Sequence, residues 1–291
     1  MMKLIYALSG QIIVFGGIIG PAQALDVQPF DVLPAPAGTA AWTTSLYTAA
    51  NRTTYFDGEE VGGNLRSSFV GQRLTYFFDI LGQPAMVTGV VPYLDLRDGN
   101  IAGNALNDTS GLGDTTFAAT YWLYSQQETK RHLNISAYIG IPTGEYEPGD
   151  PLNPGSNRAF YTLQLGGSYG FGSQWLVESA LDVSFYQDNK HVGDAHSVLE
   201  QKPAYAAQLW VSYAATPTLS FSAGWGGSWG GEQKLNGISN GFDSDRQQVR
   251  AAVSMWVSPT LHVLGQINKD VAVNGGFEAN PSFLLRFTKL F

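Results

Sequence analysis

The sequence predicts an all-β fold, a transmembrane antiparallel up-and-down β-barrel of about twelve strands. Three observations predict it. Apolar and polar residues alternate with period 2 over stretches of roughly ten to twelve residues, where soluble strands run to about five or six. The connections between these stretches alternate between short and long. Finally, the chain stops on an apolar, alternating stretch, FLLRFTKLF (Phe283 to Phe291), with no polar tail after the last aromatic.

At the amino terminus, MMKLIYALSGQIIVFGGIIGPAQA carries one cation (Lys3), an apolar run centred on Ile12 to Ile19, then Pro21 and the small residues Ala22 and Ala24. This is the three-part layout of a secretory signal peptide cleaved after Ala24. An uncleaved anchor helix is the alternative, since the apolar run could nearly span a bilayer; the Ala22-Gln23-Ala24 pattern favours cleavage. The domain organisation expected is a signal peptide at 1–24, a periplasmic lead-in at 25–40 and a barrel at 41–291. After residue 24 no run approaches the ~18 to 20 apolar residues of a spanning helix, so the exported chain is either soluble or a membrane barrel.

Composition narrows the choice. Cysteine is absent, so neither disulfides nor thiolate-bound zinc hold the fold. Gly 34 and 13% aromatics suit a β protein with many turns, and the formal net charge of -8 argues against a nucleic-acid partner.

The strands follow from periodicity. In HLNISAYIGI, Leu133, Ile135, Ala137, Ile139 and Ile141 alternate with His132, Asn134, Ser136, Tyr138 and Gly140. AFYTLQLGGSY does the same, and in QWLVESALDVSF the carboxylates Glu178 and Asp182 fall on the face opposite Val177, Leu181 and Val183. Carried along the chain, the pattern gives strands near 41–49, 69–80, 85–95, 113–124, 131–141, 158–169, 174–186, 204–214, 218–229, 246–257, 260–270 and 280–291. Most match the ~9 to 11 residues that a tilted strand needs to cross a bilayer.

The connections LGQP, SQQETKR, GFGSQ, AATPT and VSPT are short. Between them lie TTYFDGEEVGGN, RDGNIAGNALNDTSG, PTGEYEPGDPLNPGSN, YQDNKHVGDAHSVLEQK and GGEQKLNGISNGFDSD, long and rich in Gly, Asn and Asp. Short periplasmic turns and long outer loops produce this asymmetry. A soluble sandwich buries an apolar strand face equally well, but its Greek-key connections give no reason for strict alternation. Aromatics cluster at both strand ends: Tyr121, Tyr169, Trp175, Tyr213 and Phe291 on the turn side; Tyr93, Tyr161, Phe185, Tyr205, Trp225 and Phe283 on the loop side. Two belts at interfacial depth suit amphipathic rings.

The terminal stretch is then the seam. An open sheet would leave backbone groups unpaired in lipid, so the last strand must pair with the first. Phe283, Leu285, Phe287 and Phe291 face outward, Arg286 and Thr288 inward. The ending resembles the carboxy-terminal aromatic strand of bacterial outer-membrane proteins, which implies the barrel-assembly machinery as a partner engaging the strand that ends at Phe291. Lys289 departs from the apolar residue usual there and can snorkel to the interface.

Several segments together, LPAPAGT (Leu33 to Thr39), VVPYLD (Val90 to Asp95), GLGDTTFAATYWLY (Gly111 to Tyr124) and IGIPTGEYEPGD (Ile139 to Asp150), resemble the outer-membrane family of meta-pathway phenol-degradation proteins. The likeness runs over essentially the whole mature chain. It implies a bacterial outer-membrane barrel passing small hydrophobic or aromatic compounds, with outer-membrane lipid and lipopolysaccharide around it; it establishes neither a substrate nor catalysis. Physically, the Gly111-Leu112-Gly113-Asp114 and Pro142-Thr143-Gly144 motifs end strands and turn the chain, or fold a loop inward as a constriction.

Catalytic readings are weak. GGSYG (Gly166 to Gly170) and GGSWG (Gly226 to Gly230) fit G-x-S-x-G, but a nucleophile elbow needs a following helix, and none is patterned here. ISNG (Ile238 to Gly241) resembles a barrel phospholipase motif, yet Gly237 stands where the histidine base belongs, so Ser239 lacks activation. His191, Asp194 and His196 share a loop, a pattern more often solvated than metal-bound. No catalytic residue, metal site or cofactor is expected. The candidates for function are instead the polar residues of the inward face: Arg73, Glu178, Asp182, Arg250, His262 and Arg286, with Thr116, Gln164, Gln208, Gln248, Gln266 and Asn268. Pairing of Glu178 or Asp182 with Arg73, Arg250 or Arg286 is one expectation. Two functions stay open: a channel for small hydrophobic or aromatic solutes, or a structural or surface-binding barrel whose lumen is plugged. Strand number does not decide, because eight strands leave a filled interior, sixteen a water channel, and twelve lie between.

Overall fold

The computed structural model describes residues 26–193 and 195–291; the signal peptide expected at 1–24 lies outside the described residues. Twelve antiparallel strands form the wall: β1 (Ala40–Phe56), β2 (Gly63–Ile80), β3 (Gln83–Ile101), β4 (Thr115–Gln126), β5 (Arg131–Ile141), β6 (Phe160–Phe171), β7 (Trp175–Tyr186), β8 (Ala204–Ala214), β9 (Leu219–Gly230), β10 (Arg246–Ser258), β11 (Leu261–Val273) and β12 (Gly276–Leu290). Each pairs with its neighbours in sequence, and β12 pairs with β1 from Ala41↔Leu290 to Thr48↔Phe283, closing the barrel. Ala40 and Phe291 exchange backbone hydrogen bonds of 3.2 and 2.8 Å, so the seam runs to the last residue.

Alternation sorts side chains to the two faces as the bilayer requires. On β7, Glu178, Ala180, Asp182 and Ser184 are buried, while Leu181 is 58% exposed. On β12, Arg286 is 5% exposed and Phe283 50%. The barrel therefore exposes apolar side chains to lipid and buries polar ones inside, the arrangement of a membrane barrel rather than of a soluble sandwich.

Except at the start of β12, which begins at Gly276 rather than 280, the strand starts and ends match the periodicity closely outside β1 to β3. These run 17, 18 and 19 residues, and they take in much of what the sequence suggests is loop. The ladder continues above the apolar band because Asp57-Gly58 and Ala102-Gly103 make two-residue hairpin turns with positive φ at both residues. Above the barrel, residues 189–192, 197–201, 233–235 and 238–239 form a separate four-stranded sheet, so two of the long loops are knitted together. The turn ends are short; Leu81 and Gly82, both with positive φ, join β2 to β3.

The main departure from expectation is the segment placed at 25–40 as a periplasmic lead-in. Its described residues do not hang below the barrel. From the base of β1, where Gly38 donates to the Phe77 carbonyl at 2.8 Å and Phe77 to Thr39 at 2.9 Å, the chain turns up into the lumen, and Val27, Gln28 and Val32 are buried there. The physical reason is complementarity: Val27 and Val32 pack on Ala180 of β7, while Asp26 and Asp31 meet arginines of the wall.

Candidate functional site

The inner wall and the segment at 26–33, here termed the plug, form one site. The plug makes no strand ladder. It is a compact turn, closed by Asp31 N–H to Gln28 O at 3.0 Å and Leu33 N–H to Phe30 O at 3.3 Å, and the wall holds it through side chains. Gln208 Oε1 accepts the Val27 N–H at 3.0 Å. Trp210 Nε1 donates to the Val27 carbonyl at 2.8 Å, and Trp122 Nε1 to that of Val32 at 2.9 Å. Each buried indole N–H thus finds an acceptor in backbone that would otherwise be unpaired.

All six lumen candidates face inward. Glu178, fully buried, accepts the backbone N–H of Phe30 at 2.7 Å and of Val32 at 3.3 Å. Asp182 accepts from Gln164 at 2.6 Å and Gln208 at 3.3 Å. Arg250 donates to Asp26 at 3.2 Å, Gln208 at 3.1 Å and Gln248 at 2.9 Å. Arg286 donates to Asp31 at 2.9 Å, and Arg73 stands 3.8 Å from the same carboxylate. His262 packs between Phe30 and Trp256, ring centroids at 6.2 and 4.9 Å. The expected pairing of wall carboxylates with wall arginines is corrected: Arg250 and Arg286 ion-pair with plug aspartates, and Arg73 reaches one of them, because the plug brings Asp26 and Asp31 closer than Glu178 or Asp182, four residues apart on β7, can come.

The plug divides the lumen. Toward the loops lies a cavity of about 330 Å³ lined by Tyr47, Phe69, Leu94, Leu96, Phe160 and Tyr205 beside polar groups; toward the turns lies one of about 580 Å³ lined by Phe30, Pro34, Phe77, Trp256 and His262 among others. Asp26, Asp31, Arg73 and Arg286 line both. An apolar strip climbs from Trp210 and Leu264, in the turn-side halves of β8 and β11, through Tyr47 and Leu284 in the outer cavity, to a rim of Leu65, Leu96, Leu152, Phe242 and Phe277. Polar inward positions do not reveal this strip; its signal in the sequence is the large apolar residues that fall on inward parity, Tyr47, Trp210 and Leu284 among them.

The glycine-rich motifs have packing roles here. A Cβ on Gly224 would meet the Trp210 ring at 2.5 Å, and one on Gly226 the Arg250 guanidinium at 2.5 Å, so these glycines of β9 make room for two groups that face the plug. Ser168 and Ser228, of the two G-x-S-x-G matches, donate to the carbonyls of Lys130 and Ser244. Asp114 accepts from the backbone of Gly144 at 3.0 Å and Ser156 at 2.8 Å, and Glu145 from Leu112 at 3.0 Å. They fasten the loop at 142–157 inward, so that Leu152 to Ser156 line the outer cavity. Burial raises the pKa of Asp243, next to Phe242, which packs in one cluster with Leu152. The His191 and His196 rings meet edge on at 5.6 Å, Asp194 lies outside the described residues, and among the described residues no group of three His, Asp or Glu is placed to hold a metal ion.

The model of the family described as MetA-pathway of phenol degradation matches residues 47–287. The chain belongs to this family. Among solved structures, an outer membrane channel from Pseudomonas putida F1 is 26% identical and superposes with a TM-score of 0.87 over 91% of this chain and 100% of that one. Two more distant barrels share the fold: the β domain of the Bordetella autotransporter BrkA (12% identity, TM-score 0.57, 87% of this chain and 100% of that one) and a Pseudomonas aeruginosa FadL homologue (8%, 0.51, 87% and 90%). No curated protein sequence matches. The family member is accordingly a bacterial outer-membrane β-barrel, its strands sheathed in lipid.

Proposed function

We propose that the chain is an outer-membrane channel for the uptake of small hydrophobic or aromatic compounds, which pass through the lumen. The apolar strip of the lumen carries this reading. A pore for ions gains nothing from Tyr47, Phe69, Leu96, Leu152, Phe242 and Phe277 on its inner side, whereas an apolar solute gains by leaving water for them. The name of the Pseudomonas putida relative, an outer membrane channel, supports it. Arg73, Glu178, Asp182, Arg250, His262 and Arg286 are the pathway residues of this reading. Arg73, Glu178, Arg250 and Arg286 engage the polar groups of the plug, and His262 its Phe30 ring. Solute is moved by diffusion; no group in the lumen is assigned a catalytic role.

The plug favours a second reading, a closed barrel with a structural or surface-binding role. Proteoliposome uptake of a neutral aromatic solute, compared with ionic conductance of the same preparation, separates the two. Rapid aromatic uptake with low conductance is expected; no uptake above protein-free vesicles would leave the closed barrel. Contact of the outer loops with lipopolysaccharide, and of the strand ending at Phe291 with the assembly machinery, complete the proposal. They are supported by the exposed Phe291 at the seam and by the loops that rise above the apolar band.

A further inference from the structure

The plug turn sets an aromatic ring and a carboxylate side by side where the two cavities of the lumen meet. The Phe30 ring lies edge on to His262, itself against Trp256, and the adjoining Asp31 carboxylate receives Arg286 Nη1 at 2.9 Å. Phe30 holds a positive φ of 75°, a conformation that side chains other than glycine rarely adopt, so the turn is shaped to deliver both groups together. The cations there exceed what Asp31 can satisfy. Arg73 comes no nearer to it than 3.8 Å, beyond hydrogen-bond length, and Arg286 Nε is buried with no acceptor although the residue is only 5% exposed. Glu178, close by, spends its oxygens on the Phe30 and Val32 amides and makes no ion pair with either arginine.

We propose that the Phe30-Asp31 turn is an internal stand-in for an aromatic carboxylate, and that Arg73, Arg286, His262 and Trp256 form a selectivity site for aromatic acids, which displace the turn as they bind. This rests on the channel reading above and narrows its solute class. Two guanidinium groups present a fork of N–H donors that a free carboxylate fills more completely than a side chain tethered to the plug. A neutral aromatic enters the ring slot but leaves the arginines to Asp31, so it displaces the turn less readily and passes more slowly than the acid. Because Arg73, Arg286 and Asp31 border both cavities, an acid arriving from the outer one meets the site before the inner one.

Benzoate and its uncharged isostere benzamide test this. Uptake of each into proteoliposomes is compared with equilibrium dialysis of each against the purified barrel in detergent, after heat-modifiable migration has shown every variant to be a closed barrel. The wild type should prefer benzoate by about tenfold in both assays, the scale of one charged hydrogen-bonding interaction. Arg73→Gln should bring the benzoate-to-benzamide ratio toward one, Arg73→Lys should keep much of it, and Asp31→Asn should tighten benzoate binding by removing the competing carboxylate. Equal handling of the two solutes by the wild type, or unchanged benzoate binding in Asp31→Asn, overturns the proposal. If neither solute crosses the membrane, the channel reading fails, and dialysis still decides the site: preferential benzoate binding sensitive to both substitutions supports it, equal binding refutes it.

Discussion

Glu178 shows how one side chain on a strand face can govern a segment far away in sequence. It is fully buried, and both of its hydrogen bonds go to backbone N–H groups of the plug, about 150 positions earlier. Such hydrogen bonds contribute about 0.5–1.5 kcal/mol each, and their loss would leave the Phe30 and Val32 amides without acceptors. Removing the carboxylate also removes the cost of burying it, so the wall itself should hold. Glu178→Ala is therefore expected to loosen the plug and raise single-channel conductance in planar bilayers, with heat-modifiable migration intact. An unchanged conductance would show that the indole donors of Trp122 and Trp210 suffice. Inward placement of Glu178 was legible in WLVESALDV, because a period of 2 fixes which face each residue takes. Its partner was not: nothing in the local pattern says whether an inward carboxylate meets an arginine, an amide or water.

At the scale of a strand, the bilayer sets the terms. Leu181 lies between Glu178 and Asp182 along β7 but on the opposite face, 58% exposed and opposite Leu165 of β6 and Ala207 of β8. A cation on the lipid face near the midplane costs about 2–4 kcal/mol. Leu181→Arg should reduce the yield of heat-resistant, folded barrel in membranes, while a polar exchange at the inward neighbour Ser184 should not; equal yields would mean that β7 does not meet lipid at this height. The strands were readable for this reason: a solvent that tolerates no unpaired amide and no outward charge leaves long, strictly alternating elements. Where the reading was short, at the ends of β1 to β3, the ladder extends beyond the membrane into water. There alternation no longer needs to be apolar, and only the Asp57-Gly58 and Ala102-Gly103 turns mark where the strands end.

For the molecule as a whole, the barrel and the plug are separable in energy. The wall is closed by backbone ladders all the way round, and the plug contributes none of them. Deleting residues 26–33 behind an intact export signal should therefore leave a closed barrel, recognised by different migration of unheated and boiled samples. It should also join the cavities of about 330 and 580 Å³ into one path, with a several-fold rise in ionic conductance. Failure of the deletion variant to fold would mean that the plug is needed to neutralise Arg73, Arg250 and Arg286 during assembly, since cations left unpaired in a low-dielectric lumen are costly.

Strand number, facing, seam and membrane were determined by the sequence by itself. Each follows from a rule acting between near neighbours in the chain: period 2, turn chemistry at LGQP or VSPT, and the need to pair the edge that ends at Phe291. The tertiary structure alone decided that Asp26 and Asp31 leave the periplasmic side to pair with Arg250 and Arg286, and that Phe30 lies against His262. Those contacts join residues more than two hundred positions apart, through a segment with no periodicity of its own. Its place is fixed by the shape and charge of a cavity that exists only once all twelve strands have closed.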